Sequence, residues 1–192
     1  MVDAFVAGAA QAYPAKAVRP MPLTVSVLPN LLTALRLSLA LPLAAALYHY
    51  ELAGVTGLLS LAIVTDLLDG WLARKLSVCS AFGAYFDATA DFALVTAAFG
   101  ALTVRGVYPA WVLLLIGLMF AQFVLTSRGS QLVYDPVGRY FGAALYGVVF
   151  ALALLPDLLL SYALLAGIVV LSTLSLGTRA CWLARTPLLR KD

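Results

Sequence analysis

An all-α integral membrane protein with six transmembrane helices is the fold class this sequence predicts, on three observations. Hydrophobic residues make up 64% of the 192-residue chain, charged residues only 11%, and the mean hydropathy is +1.01. Soluble domains carry roughly 25% charged residues. The apolar residues gather into six stretches, near 31–49, 52–71, 84–104, 108–127, 138–156 and 159–183, each close to the roughly 20 residues that cross a bilayer as a helix. Basic residues fall mostly in alternate connections, as Lys and Arg do on the cytoplasmic side of a membrane.

Residues 1–29 read as a short cytosolic juxtamembrane segment, cut by Pro14, Pro20, Pro22 and Pro29 and carrying Lys16 and Arg19. It holds no uninterrupted apolar core followed by a small-residue cleavage site, so a removable signal peptide is not expected. Leu23 to Leu28 suit a position along the membrane surface. Residues 30–192 then form one six-helix membrane domain with a short cytosolic tail.

The first span opens with Asn30, Thr33 and Arg36, whose spacing of three keeps them on one helical side. An arginine at that depth ordinarily snorkels back to the interface, but the polar stripe it shares with Asn30 and Thr33 favours a role at a site. Pro42 predicts a kink in this helix.

Arg74 and Lys75 follow the second span, Arg128 and Arg139 bracket the fourth-to-fifth connection, and Arg179, Arg185, Arg190 and Lys191 lie at the C-terminus. Arg105 stands on the other side. An even number of spans puts both termini in the cytosol, with connections 72–83 and 128–137 beside them. The opposite links are short, at Tyr48 to Glu51, Arg105 to Tyr108 and Leu155 to Asp157, and their tyrosines and Trp111 suit interfacial anchoring. The net charge of +3 follows from this asymmetry and speaks for lipid headgroups, not nucleic acid. Cys79 and Cys181 fall on the reducing cytosolic side and read as packing residues. His49 has no His or Cys nearby and is assigned no role.

Four of the nine acidic residues fall between positions 66 and 91, in the run Asp66-x2-Asp69-Gly70-x2-Ala73-Arg74-x8-Gly83-x3-Asp87-x3-Asp91. Each pair, at spacing three or four, faces one way on its helix. If the second and third spans are antiparallel neighbours, all four carboxylates converge just inside the membrane. There they must protonate or capture a counter-charge, and a pair of divalent cations is the natural answer. Oxygen ligands without His or Cys favour Mg²⁺, Mn²⁺ or Ca²⁺ over Zn²⁺. Gly70, Ala73 and Gly83 let a bulky polar ligand approach the backbone, and Arg74 adds a planar cation suited to phosphate. Together they describe phosphoanhydride chemistry on an amphipathic substrate.

The run resembles, at all eight fixed positions, the motif of the CDP-alcohol phosphotransferases, integral membrane enzymes of phospholipid synthesis. The resemblance implies displacement of CMP from CDP-diacylglycerol by an alcohol hydroxyl, with two Mg²⁺ or Mn²⁺ ions as cofactors. It implies that Asp66, Asp69 and Asp87 hold one ion, that Asp66, Asp87 and Asp91 hold the second, and that Asp91 is the catalytic base. Gly70, Ala73, Arg74 and Gly83 would line the CDP site, with Asn30 and Thr33 added from the first span. It also implies a bacterial cytoplasmic membrane location with the site facing the cytosol. Homodimerisation, common in the family, fits helix faces rich in small residues.

Leu28-Pro29-Asn30-x2-Thr33-x2-Arg36 is similar to the first helix of the phosphatidylglycerophosphate synthase branch, which implies sn-glycerol 3-phosphate as acceptor. The chain departs from that branch at Ala88 and Phe92, where it usually carries proline and lysine. Arg128 and Arg139, on the cytosolic side, are the candidate cations for a phosphorylated acceptor. Inositol phosphate, inositol and serine stay open as alternatives. A divalent-cation or proton-coupled transporter is the reading from another class, since intramembrane carboxylates also mark ion pathways.

Overall fold

A computed structural model describes residues 23–75, 81–126 and 136–185, and every regular element among them is helical. The helices are α1 (Leu23–Ser38), α2 (Ala40–Tyr48), α3 (Leu52–Lys75), α4 (Ala81–Val104), α5 (Trp111–Thr126), α6 (Pro136–Leu154) and α7 (Leu158–Arg185). Four segments are long and apolar enough to cross a membrane: Asn30–Tyr48, which runs through α1 and α2, then Leu52–Leu72, Tyr85–Val104 and Leu158–Thr178. Trp111–Leu125 and Phe141–Leu154 are shorter apolar helices. Only 22–39% of each long segment is buried against protein. The remainder presents side chains such as Leu41, Leu67, Val104 and Leu159 outward, the arrangement of a chain whose solvent is lipid.

α1 begins at Leu23, so the end of the expected juxtamembrane segment is helical and continuous with the first span. That span breaks at Leu39, three residues before Pro42. A proline lacks the N–H that would bond to the carbonyl four residues earlier, and its ring crowds that carbonyl. Leu39 N–H donates both to Leu35 O at 3.2 Å and to Arg36 O at 3.0 Å, and Ser38 Oγ donates to Leu35 O at 2.6 Å, so the last turn of α1 tightens before α2 resumes.

α2 and α4 both end in a Schellman motif. In α2, Glu51 N–H reaches Ala46 O at 2.9 Å and Tyr50 takes a left-handed φ of 60°. In α4, Val107 N–H reaches Leu102 O at 2.9 Å, with Gly106 at φ 75°. Close approach follows the first turn, since a Cβ on Gly54 would stand 3.2 Å from the Ala46 Cβ. The N-terminus of α7 is capped by Asp157, whose Oδ1 accepts from Leu160 N–H at 2.9 Å.

α4 lies at the centre, packed on α1, α2, α5 and α6, while α3 packs on α1, α2 and α6. The apolar core is continuous and built on Leu43, Leu59, Leu94, Phe99, Val112, Val149 and Ile168. Phe92 stacks on Phe120 and Phe99 on Tyr108. Among the described residues the backbones of α3 and α4, the two aspartate helices, stand further apart than either does from α1, which packs against both. Their carboxylates nevertheless converge, with ligand oxygens of Asp66, Asp69 and Asp87 within 4.8 Å of one another.

Candidate active site

α3 carries Asp66 and Asp69 one turn apart near its C-terminal end, and α4 carries Asp87 and Asp91 one turn apart near its start. α1 inserts Arg36 between them. Nη1 of Arg36 donates to Oδ1 of Asp87 at 2.6 Å and of Asp91 at 2.8 Å, and stands 3.2 Å from Oδ1 of Asp66. Nη2 donates to Oδ2 of Asp69 at 2.5 Å. The same Asp69 oxygen accepts from Thr33 Oγ1 at 3.3 Å, so two members of the α1 stripe face one carboxylate.

Exposure is graded across the cluster. The Arg36 side chain is 0% exposed and that of Asp69 6%, against 45% for Asp66, 39% for Asp87 and 33% for Asp91. The cluster thus has a buried floor of Arg36 and Asp69 and an open rim of three carboxylates. One guanidinium does not balance four carboxylates, and burying unbalanced charge costs several kcal/mol per ion, roughly. Arg36 Nε is buried with no hydrogen-bond partner among the described residues. Ligand oxygens of Asp66, Asp69 and Asp87 lie within 4.8 Å of one another and form a group that can hold a metal ion. An all-carboxylate donor set fits a hard divalent cation.

α6 supplies a side chain that sequence reasoning missed. Tyr146 donates its OH to Asp91 Oδ1 at 2.9 Å. Beside it a cleft of about 680 Å³ runs between α3 and α6, lined by Ser60, Val64, Asp66, Asp91, Gly142 and Tyr146 among others. Cβ atoms on Gly142 or Gly147 would meet nothing within 4 Å, so small residues on α6 keep that space open. The signal that sequence alone offered for it is a polar hydroxyl in an apolar helix, one residue before Gly147.

These carboxylates belong to a stretch that a family model, described as CDP-alcohol phosphatidyltransferase, matches over residues 26–178. The chain belongs to the CDP-alcohol phosphatidyltransferase family. It is 36% identical to a Bacillus subtilis CDP-diacylglycerol–glycerol-3-phosphate 3-phosphatidyltransferase over 46% of this chain and 44% of that protein. It is 32% identical to the Treponema pallidum protein of the same name, over 61% of this chain and 66% of that protein. It is 40% identical to a Schizosaccharomyces pombe cardiolipin synthase (CMP-forming)/mitochondrial hydrolase fusion protein, over 60% of this chain and 19% of that one. The matches thus span less than half the length of the Bacillus subtilis and Schizosaccharomyces pombe relatives. No solved structure matches the chain.

Against the family motif, Asp66, Asp69, Asp87 and Asp91 come together, and Thr33 joins them through Asp69. Asn30 is half-buried on α1, Gly70 is half-buried one residue beyond Asp69, and Gly83 is half-buried in the first turn of α4. The side chains of Ala73 and Arg74 near the end of α3, and of Arg139 near the start of α6, lie outside the described residues, as does Arg128 altogether. Arg36 is the hub of the cluster and stands outside the eight-position motif. The signal for it was its i+3 spacing from Thr33 and the rarity of a charged residue at that depth.

Proposed function

We propose that this family member transfers a phosphatidyl group from CDP-diacylglycerol to a small polar alcohol, sn-glycerol 3-phosphate, with release of CMP. The observation that carries this reading is the meeting of all four motif carboxylates at one half-open cluster in apolar helices. Relatives named for glycerol-3-phosphate phosphatidyl transfer support the acceptor. The membrane domain would span residues 30–192, with residues 1–29 at its cytosolic edge. Six crossings, obtained by counting the two shorter apolar helices, would put both termini and the site in the cytosol of a bacterial inner membrane. Two Mg²⁺ or Mn²⁺ ions would be held by Asp66, Asp69, Asp87 and Asp91, and the protein would work as a homodimer.

In this reading the acceptor oxygen attacks the phosphorus that bears the diacylglycerol, the bond to the CMP oxygen breaks, and CMP leaves. Asp91 takes the hydroxyl proton, oriented by Tyr146 on one oxygen. Asp66, Asp69, Asp87 and Asp91 would hold the divalent cations, whose chemistry there would be to neutralise charge on the pyrophosphate. Thr33 and Arg36 fix Asp69 at the floor of the site. Gly70, Ala73, Arg74, Gly83 and Asn30 bind the cytidine diphosphate, and Arg128 and Arg139 bind the acceptor phosphate. The apolar cleft beside Tyr146 supports a substrate that brings lipid tails to the carboxylates.

Purified protein given CDP-diacylglycerol, Mg²⁺ or Mn²⁺, and a panel of sn-glycerol 3-phosphate, inositol phosphate, inositol, serine and phosphatidylglycerol tests the reading. The expected result is CMP release and a new lipid with sn-glycerol 3-phosphate. Product with another panel member would move the acceptor, and silence across the panel would end the transferase reading.

A further inference from the structure

We propose that Arg36 is a positioning residue acting as a built-in cation, one that holds Asp66, Asp87 and Asp91 together through Nη1 and yields their oxygens to a divalent cation. The proposal takes from the functional reading above only that a divalent cation is the ligand of these carboxylates; it does not need turnover.

One nitrogen atom, Nη1, faces Oδ1 of three aspartates from two different helices, at 2.6, 2.8 and 3.2 Å. Three carboxylate oxygens around one point supply part of the oxygen shell of a hard cation, whose ligands stand about 2.0–2.6 Å away and include water. An ion bridging Asp66, Asp87 and Asp91 would need the space and the lone pairs that Nη1 takes, so the two compete. The group formed by Asp66, Asp69 and Asp87 meets the same guanidinium, through Nη1 and Nη2, so Arg36 contests every cation position in the cluster.

Arg36 has a way to yield without leaving the protein. Nη2 is held on Asp69, which Thr33 holds in turn, so the guanidinium can pivot there while Nη1 withdraws. Nε, buried and unpaired among the described residues, is then a donor in want of an acceptor, and an anionic phosphate oxygen brought in with the cation would supply one. The exchange also answers the charge balance. A single positive charge holds the carboxylates together, and a divalent ion neutralises them further, which frees the guanidinium for the incoming anion.

The test uses the full-length protein in lipid nanodiscs with Mn²⁺ alone as the probe. Free Mn²⁺ is followed by electron paramagnetic resonance, and thermal unfolding is measured with chelator and with Mn²⁺. Arg36→Gln removes the competing charge, and Arg36→Lys keeps a charge that cannot face three oxygens and Asp69 at once. Mn²⁺ binding should tighten by about tenfold or more in Arg36→Gln, as expected when an occupying competitor is removed, and by less in Arg36→Lys. With chelator the Tm of Arg36→Gln should fall by roughly 5–10 °C, and Mn²⁺ should restore most of it.

A helix-locking ion pair with no tie to metal would lower the Tm but leave Mn²⁺ affinity as it was. Unchanged or weakened Mn²⁺ binding in the variants overturns the proposal. Recovery of folded Arg36→Gln only in the presence of Mn²⁺ supports it, and if that variant never folds, Arg36→Lys decides by the same affinity criterion. Tightened Mn²⁺ binding without any CMP release would overturn the proposed reaction and leave the role of Arg36 standing; unaltered binding with normal CMP release would do the reverse.

Discussion

Among the described side chains two arginines, Arg36 and Arg105, are held by the bundle in opposite ways. Arg36, on α1, has no exposed surface and meets four carboxylates from two other helices. Arg105, at the end of α4, meets no carboxylate among its described contacts; its Nη1 donates to the Leu47 carbonyl in the last turn of α2, and its guanidinium lies over the Tyr50 ring. A cation on the terminal carbonyls of a helix complements the helix dipole and completes the hydrogen bonding of that end. Arg105 therefore ties together the two turns that close α2 and α4, both Schellman motifs. Tyr108, in the same turn region, stacks on Phe99, and burial pushes its hydroxyl up to about 12. One end of the bundle uses a cation to finish the backbone, and the other uses it to collect anions. A buried charge becomes a site only where its partners are themselves in excess.

The largest expected effect that separates these ends is at Asp91. Asp91→Asn keeps the shape of the side chain and removes the base, and CMP release should fall by about 10²–10⁴-fold while CDP binding stays measurable by isothermal titration. Full activity in that variant would remove the base assignment. A smaller loss is expected for Tyr146→Phe, which deletes one hydrogen bond to a charged acceptor, an interaction of about 1.5–3 kcal/mol. Its turnover should drop by about tenfold with KM for CDP-diacylglycerol little changed. A change in KM alone would make Tyr146 part of the binding cleft and not of the reacting group.

The smallest effect should be at the opposite end. Arg105→Met removes a charge at a helix C-terminus, worth about 0.3–1 kcal/mol, so thermal unfolding should shift slightly and CMP release should not change. Loss of activity in this variant would mean that the two ends are coupled and that their division here is mistaken.

Much of the membrane architecture was legible in the sequence because lipid imposes a simple rule on composition. The apolar stretches predicted at 52–71 and 84–104 correspond closely to Leu52–Leu72 and Tyr85–Val104. The four aspartates were legible as one constellation because their spacing fixes the face each pair presents. The break in the first span follows from Pro42, although it falls three residues earlier, at Leu39, where the last turn of α1 tightens.

The less legible part depends on which helix packs between which. Nothing local to residues 66–91 says that α1 packs against both α3 and α4, and Arg36 pairs with carboxylates 30 to 55 residues away. Tyr146 is likewise 55 residues from Asp91, and its hydroxyl is informative only once α6 is known to lie beside α3 and α4. Local periodicity gives the faces of helices, whereas packing gives their partners.

The measurement that bears most directly on the central claim, one catalytic site made by α1, α3 and α4 together, is CMP release from CDP-diacylglycerol and sn-glycerol 3-phosphate by purified protein. It would be run with Mg²⁺, with Mn²⁺ and with chelator. The account predicts CMP and phosphatidylglycerol phosphate in equal amounts, lost on chelation and restored by either ion. Release that persists undiminished in chelator, or none under any of these conditions, would contradict it.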